Sequence, residues 1–244
     1  VVQSGEDLLI VDAGLPAKKV FRHFAALGLD ASKVRGILVS HHHADHAGRA
    51  GELSKALHVP VYATSECIEN GAASIVAKAE DVRVIRPNGG YEIGSMVVFA
   101  EPTYHTPGAV GFLIEHTYGI GLRHSACIFV DVPEVTEGMG KVMQGCELIA
   151  CESDYLEGML AANENYDAEL KSRIRMTHLS NERLCAFFAN GFQSSTLKTV
   201  VLLHGSEENS IPWLAQRKVE AALRNPAVQV LVAPRDAVLG PVEV

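Results

Sequence analysis

Apolar residues in this chain gather in runs of four or five closed by polar or turn-forming residues. These runs alternate with stretches whose apolar positions recur every three or four residues. Leu8-Leu9-Ile10-Val11, ended by Asp12-Ala13-Gly14, reads as a buried strand and a turn. Pro16 opens a helix with apolar positions Val20, Phe21, Phe24 and Leu27, and Gly28 closes it. Gly36-Ile37-Leu38-Val39 predicts a second buried strand, a helix follows over about Asp45–Leu57, and Val59–Ala63 is a third strand. Short β segments are expected at Val82–Ile85, Met96–Ala100, Val110–Ile114 and Cys127–Val130, with turns at Gly89-Gly90 and Gly119–Gly121. After Pro133 the alternation resumes. Helices are expected at Val135–Met143, Leu156–Ala162, Ala168–Met176, Asn181–Asn190 and Pro212–Arg224, and strands at Glu147–Cys151, Thr199–Leu203 and Val228–Ala233. Two strand blocks, each flanked by helices, predict a layered α/β sandwich rather than one doubly wound sheet. With no repeat or linker-like tract, one domain over residues 1–244 is the expectation.

Composition narrows the function. Of 244 residues, 48% are apolar but only 6% aromatic, so the core must be aliphatic. A formal charge of −8 excludes a chain-wide basic field, so any contact with phosphates needs a local patch. No apolar run approaches the ~20 residues that span a bilayer, and no signal-peptide pattern opens the chain, so no membrane partner is expected. Five cysteines, none in a C-x-x-C pair, argue against a disulfide framework and favour a reducing, cytoplasmic setting.

The strongest chemical signal is Ser40-His41-His42-His43-Ala44-Asp45-His46, which holds four of the eleven histidines. His41 and His43, two apart on an extended segment, point the same way. Asp45 and His46 follow where the chain turns into a helix. Imidazoles and a carboxylate this close are the donors that zinc, manganese or iron take. A solvated histidine tag would be terminal, repetitive and flanked by polar residues, whereas this cluster lies between a buried strand and an amphipathic helix. His42 alternates away from the face of His41 and His43, His23 sits on the polar face of a helix, and His58, His116 and His124 lack a partner motif.

The H-x-H-x-D-H pattern resembles that of the metallo-β-lactamase superfamily. The resemblance implies an αββα four-layer sandwich with two mixed β-sheets, and two bound divalent ions, zinc first, with manganese or iron as alternatives. It further implies that His41, His43 and His105 hold one ion and Asp45, His46 and His204 the other. Asp131 would bridge them, and a shared hydroxide, oriented by Asp45, would be the nucleophile. His105 lies in Tyr104-His105-Thr106-Pro107-Gly108, and Asp131 and His204 each close an apolar run. Asp12 matches the superfamily's early aspartate, expected behind the ligands.

Further strings resemble the YycJ/WalJ-type, exonuclease-like branch related to RNase Z. They are Leu170-Lys171-Ser172-Arg173-Ile174, His178-Leu179-Ser180-Asn181, the block from Leu203 to Pro212, and Ala233-Pro234-Arg235-Asp236. The match runs from Asp12 to Asp236, beginning after that branch's first strand and Gly/Ser-rich loop. Its third motif reads His105-Thr106-Pro107-Gly108, and its E-S-N-H-D string is Glu152-Ser153-Asp154-Tyr155-Leu156.

The expected function is therefore a metal-dependent phosphodiesterase or nuclease, most closely a DNA exonuclease, with nucleic acid as substrate. Lys171 and Arg173 are candidate phosphate contacts, and Ser180 and Asn181 would present a helix N-terminus to an anion. His178, spare once seven ligands are assigned, is the candidate general acid. The alternative is a small-molecule hydrolase of the same fold, acting on a cyclic phosphodiester, a lactone or a thioester. A non-catalytic metal-stabilised or DNA-binding module is a third class, which the full ligand set disfavours.

Overall fold

The computed structural model describes residues 1–72, 78–118, 122–235 and 237–243. The turn expected at Gly119–Gly121, and Asp236, lie outside the described residues. The fold is α/β with two mixed sheets, of five and seven strands among the described residues. The chain divides into two compact units, Val1–Arg123 and His124–Val244.

In the first unit β1 (Val2–Ser4) pairs antiparallel with β2 (Asp7–Val11). β2, β3 (Val34–Leu38), β4 (Val61–Thr64) and β5 (Val82–Ile85) then run parallel in that order. Parallel strands covered on both faces need continuous apolar runs, which is why Leu8-Leu9-Ile10 and Gly36-Ile37-Leu38 are buried throughout. The helix Ala17–Leu27 begins after Pro16 and stops at Gly28. It packs Phe24 into a core with Ile10, Ile37, Leu53 and Val61.

The single helix expected over Asp45–Leu57 is two, Ala44–Ala47 and Ala50–Leu57. The break has a tertiary cause. Arg49 N donates to Ala13 O at 2.8 Å, and Ala13 N donates to His46 O at 2.6 Å. The turn after β2 thus takes hydrogen bonds that a continuous helix would have made internally.

β6 (Gly90–Ile93), β7 (Met96–Pro102) and β8 (Val110–Tyr118) follow, with β7 antiparallel to both β6 and β8. Gly90, expected in a turn, opens β6 opposite Phe99. A four-residue strand with one buried position leaves too short an alternation to read from sequence.

In the second unit β9 (Leu122–Phe129), which begins at the boundary, lies beside β10 (Leu148–Glu152), β11 (Thr199–Leu203) and β12 (Gln229–Val232), all parallel. The helices Glu137–Gly145, Glu157–Ala162, Ala168–Thr177, Asn181–Ala189 and Pro212–Leu223 lie within two residues of the expected bounds. Parallel strands place their C-terminal ends on one edge, so Asp131, Glu152 and His204 all leave the sheet there.

All five cysteines are free, and four are buried. Burial pushes the Cys67 thiol up to about 12 and Cys185 to about 11, and raises Cys127 and Cys151 as well. These thiols stay protonated at neutral pH, and the thiolate is the reactive form. Iodoacetamide at pH 7.5 is expected to leave the native protein fully active, with partly exposed Cys185 the first to react. Loss of activity that a substrate protects against would overturn this.

Candidate metal centre

The histidine segment leaves the end of β3 and is fixed from below by Asp12. Asp12 Oδ1 accepts from Ser40 N at 2.8 Å. Its Oδ2 accepts from Ser40 Oγ at 2.8 Å and from His46 Nδ1 at 2.8 Å. The Ser40 hydroxyl proton is then committed to the carboxylate, so its oxygen accepts from His41 Nδ1, 3.0 Å away. One carboxylate therefore fixes two rings, directly at His46 and through a hydroxyl at His41. In both, Nδ1 carries the proton and Nε2 keeps its lone pair, the arrangement that outer carboxylates impose on metal-binding histidines.

Asp12 adopts φ 60°, a region aspartate tolerates better than most residues. The turn it opens presses against the ligand segment. A Cβ on Gly14 would lie 1.7 Å from Asp45 O, so only glycine allows this approach.

His105 reaches the same cluster from the loop between β7 and β8. Thr103 N donates to Ala109 O at 3.1 Å, closing the loop, and Val110 N donates to Ser40 O at 2.9 Å. Thr64 Oγ1 donates to Gly108 O at 2.7 Å, and Gly108 has φ 73°, where a side chain would be strained. His41 Nε2 lies 3.0 Å and His105 Nε2 3.4 Å from His43 Nδ1. His46 Nε2 lies 3.5 Å from Asp45 Oδ2. Ring nitrogens converging this closely, with backbone and Asp12 contacts setting their directions, suit a divalent transition metal.

The second unit has its own donor group. Asp131, Glu152, His178 and His204 each place a ligand atom within 4.8 Å of the others. Glu152, fully buried at the end of β10, organises the set. Its Oε1 accepts from His178 Nδ1 at 2.7 Å and His204 Nδ1 at 3.0 Å. Its Oε2 accepts from Val132 N at 2.6 Å and Leu179 N at 3.2 Å. Asp131 Oδ1 lies 3.5 Å from His204 Nδ1 and 4.0 Å from His178 Nδ1. Asp131 and His204 adopt φ 48° and 57°, sharp exits from their strands that keep both side chains beside Glu152.

The electrostatics follow from these contacts. Burial opposes charge on Glu152, but the hydrogen bonds from His178 and His204 outweigh it and lower its pKa. Burial likewise pulls His204 down, yet its bond to Glu152 and the charges of Asp131, Glu152 and Asp154 raise it to about 9. His178 is raised against the same burial. Asp154, desolvated and facing Glu152, is pushed up to about 6. Three carboxylates around two imidazoles form an anionic pocket suited to a cation.

Glu152 carries no role in the sequence reading. The available signal was a lone acid completing the apolar run Leu148-Ile149-Ala150-Cys151. Of the four residues expected to contact substrate, two are turned into the core. Ser180 and Asn181 are both fully buried. Ser180 Oγ accepts from Arg183 N at 3.2 Å as a helix cap, and Asn181 Nδ2 donates to Ser153 Oγ at 3.0 Å and to Ala215 O at 3.3 Å. Both side chains are occupied in holding the fold, since a polar group this deep needs internal partners. Lys171 Nζ donates to Ala161 O at 3.0 Å, at the end of the helix Glu157–Ala162. Arg173 is exposed.

The model of the metallo-β-lactamase superfamily matches residues 1–124. The chain belongs to this superfamily. It is a hydrolase of that class, with the superfamily's α/β fold of two mixed sheets. It is 28% identical over 226 residues to a protein named exodeoxyribonuclease YycJ from Bacillus anthracis, covering 91% of this chain and 83% of the relative. It is 27% identical to a hydroxyacylglutathione hydrolase from Dechloromonas aromatica, over 91% of this chain and 80% of the relative. Among solved structures it is similar to the metallo-β-lactamase fold protein YhfI from Bacillus subtilis. That match has a TM-score of 0.67 and 16% identity, and covers 95% of this chain and 86% of the other.

Proposed function

We propose that this chain is a two-metal phosphodiesterase acting on nucleic acid, of the DNA exonuclease kind. The observation that carries the reading is His178, an imidazole held by Glu152 beside Asp131 and His204 in a chain related to an exodeoxyribonuclease. In this proposal His41, His43 and His105 hold one zinc ion, Asp45, His46 and His204 hold a second, and Asp131 serves both; manganese or iron suits the same donors. Bound divalent ions supply acidified water and neutralise charge that develops on the phosphate. Asp45, exposed beside His46, orients the attacking water. His178 gives a proton to the departing oxygen, and Glu152 keeps that ring turned and favours its protonated form. Arg173 and Lys171 offer surface charge to the phosphate backbone. Five free cysteines favour a reducing, cytoplasmic setting.

The hydroxyacylglutathione hydrolase relative favours a second reading, thioester hydrolysis by the same donors. Salt separates the two. Recognition of a phosphate backbone releases counterions, so hydrolysis of DNA should fall steeply between ~50 and ~200 mM salt. Arg173→Ala should flatten that slope by about one and weaken binding alike across sequences. Thioester turnover that exceeds DNA turnover by orders of magnitude, with little salt dependence, would replace the phosphodiesterase reading with the second one.

A further inference from the structure

We infer that Arg183 is a positioning residue, the outer half of a clamp that sets His178 against Asp131. The inference rests on the phosphodiesterase reading for what the clamp is for, not for its geometry. His178 and Asp131 sit on separate segments, the end of the helix Ala168–Thr177 and the stretch after β9. Glu152 ties these segments together from inside, because its Oε2 accepts from Val132 N, next to Asp131, and from Leu179 N, next to His178. Arg183 ties them from outside. Its Nη1 donates to Pro133 O at 2.8 Å and to Arg175 O at 2.9 Å.

One guanidinium nitrogen thus uses both protons to hold a carbonyl two residues after Asp131 and another three residues before His178. The arginine is itself fixed, since its backbone N donates to the capping Ser180 Oγ. Two crosslinks on opposite sides of a pair of segments resist a rotation that a single one permits. Without Arg183, Glu152 Oε2 would be the shared acceptor that joins the two backbones, beside the bond from His178 Nδ1 to Oε1. The distance at stake is the 4.0 Å between His178 Nδ1 and Asp131 Oδ1. A misplacement of about 1 Å in a reacting group can cost ~10²-fold in rate, and loss of an outer partner typically weakens a metal site ~10–100-fold.

The test compares Arg183→Met and Arg183→Lys with the wild type. Zinc affinity is measured by competition with a chromophoric chelator, and the His178 ring is followed by NMR in metal-free protein. Turnover is measured on an oligonucleotide and on bis(4-nitrophenyl) phosphate. Arg183→Met should bind zinc about tenfold more weakly and show a shifted or broadened His178 ring. Its kcat on the oligonucleotide should fall ~10–100-fold with KM nearly unchanged, and much less on the nitrophenyl ester, whose leaving group needs no proton. The melting temperature should move by no more than a few degrees, because the side chain is exposed. Arg183→Lys, which keeps the charge and a many-proton donor, should recover part of each loss. Wild-type zinc affinity and an unmoved His178 ring in Arg183→Met would overturn the inference, as would equal losses on both substrates that track the melting temperature. If the wild type cleaves no phosphodiester, the functional proposal fails, while zinc affinity and the His178 ring still decide the clamp.

Discussion

Asp131→Ala is expected to empty the metal centre and remove nearly all turnover, with a loss of at least ~10³-fold. The residue is 3% exposed and lies within 4.0 Å of two imidazoles, so its carboxylate has little water to satisfy it. In the proposed ligand scheme it is the one donor shared by both ions, and its removal weakens both sites together. Ligands to a metal must be deprotonated, so protons compete with the ion for this pocket. Against the pull of burial, the bond to Glu152 and the charges of Asp131 and Asp154 raise His204 to about 9 and raise His178 as well, so the charge that attracts a cation also favours protons on the rings. Without Asp131 that negative charge shrinks, and affinity for a cation falls with it. Elemental analysis after mild dialysis, paired with turnover of bis(4-nitrophenyl) phosphate, checks the expectation. A variant that keeps two metal ions per chain would remove Asp131 from the bridging position. A wild type that holds one ion at most, even when supplemented, would remove the two-metal scheme.

How much of this was legible in the sequence depends on how local each cause is. The donor types in His41-x-His43-x-Asp45-His46 are adjacent in the chain, and the strand before them is a plain apolar run. His105, Asp131 and His204 are legible through the family resemblance, since Asp131 and His204 each follow a parallel strand whereas His105 lies in the loop between antiparallel β7 and β8. Asp12 could be picked out the same way, but its grip on His46 and Ser40 is a contact 34 and 28 residues long that no local pattern encodes. The break at Gly48-Arg49 escaped for the same reason, because helical periodicity continues through it while the competing hydrogen bonds come from Ala13. Glu152 follows an apolar run as a lone acid, and only the fold brings His178 and His204 to it. Ser180 and Asn181 looked like an anion-binding helix start, whereas packing against Ser153 and Ala215 buries them. What the sequence hides is the second layer, the residues that hold ligands in place, whose partners lie far along the chain.

His178→Ala should keep its metal and its fold yet lose ~10²–10⁴-fold in the cleavage of DNA, the usual worth of a positioned acid. Glu152 would retain three of its four hydrogen bonds, from His204, Val132 N and Leu179 N. Losing the fourth should cost about 1–3 kcal/mol of stability, which a domain of this size tolerates. The direction of the His178 pKa matters for the role. Burial would leave the ring neutral, but Glu152, Asp131 and Asp154 raise it above its ordinary value, so a larger fraction carries the proton near neutral pH. A ring used as an acid needs that fraction; one that only packs against His204 does not. The leaving group separates the two. An alkoxide departing from DNA needs the proton, whereas a nitrophenolate does not, so the loss in His178→Ala should shrink sharply on bis(4-nitrophenyl) phosphate. Equal losses on both substrates, or loss of metal, would assign His178 to holding the site together rather than to proton transfer. His178→Gln, which can still donate to Glu152 but carries no titrating proton, should restore stability without restoring turnover.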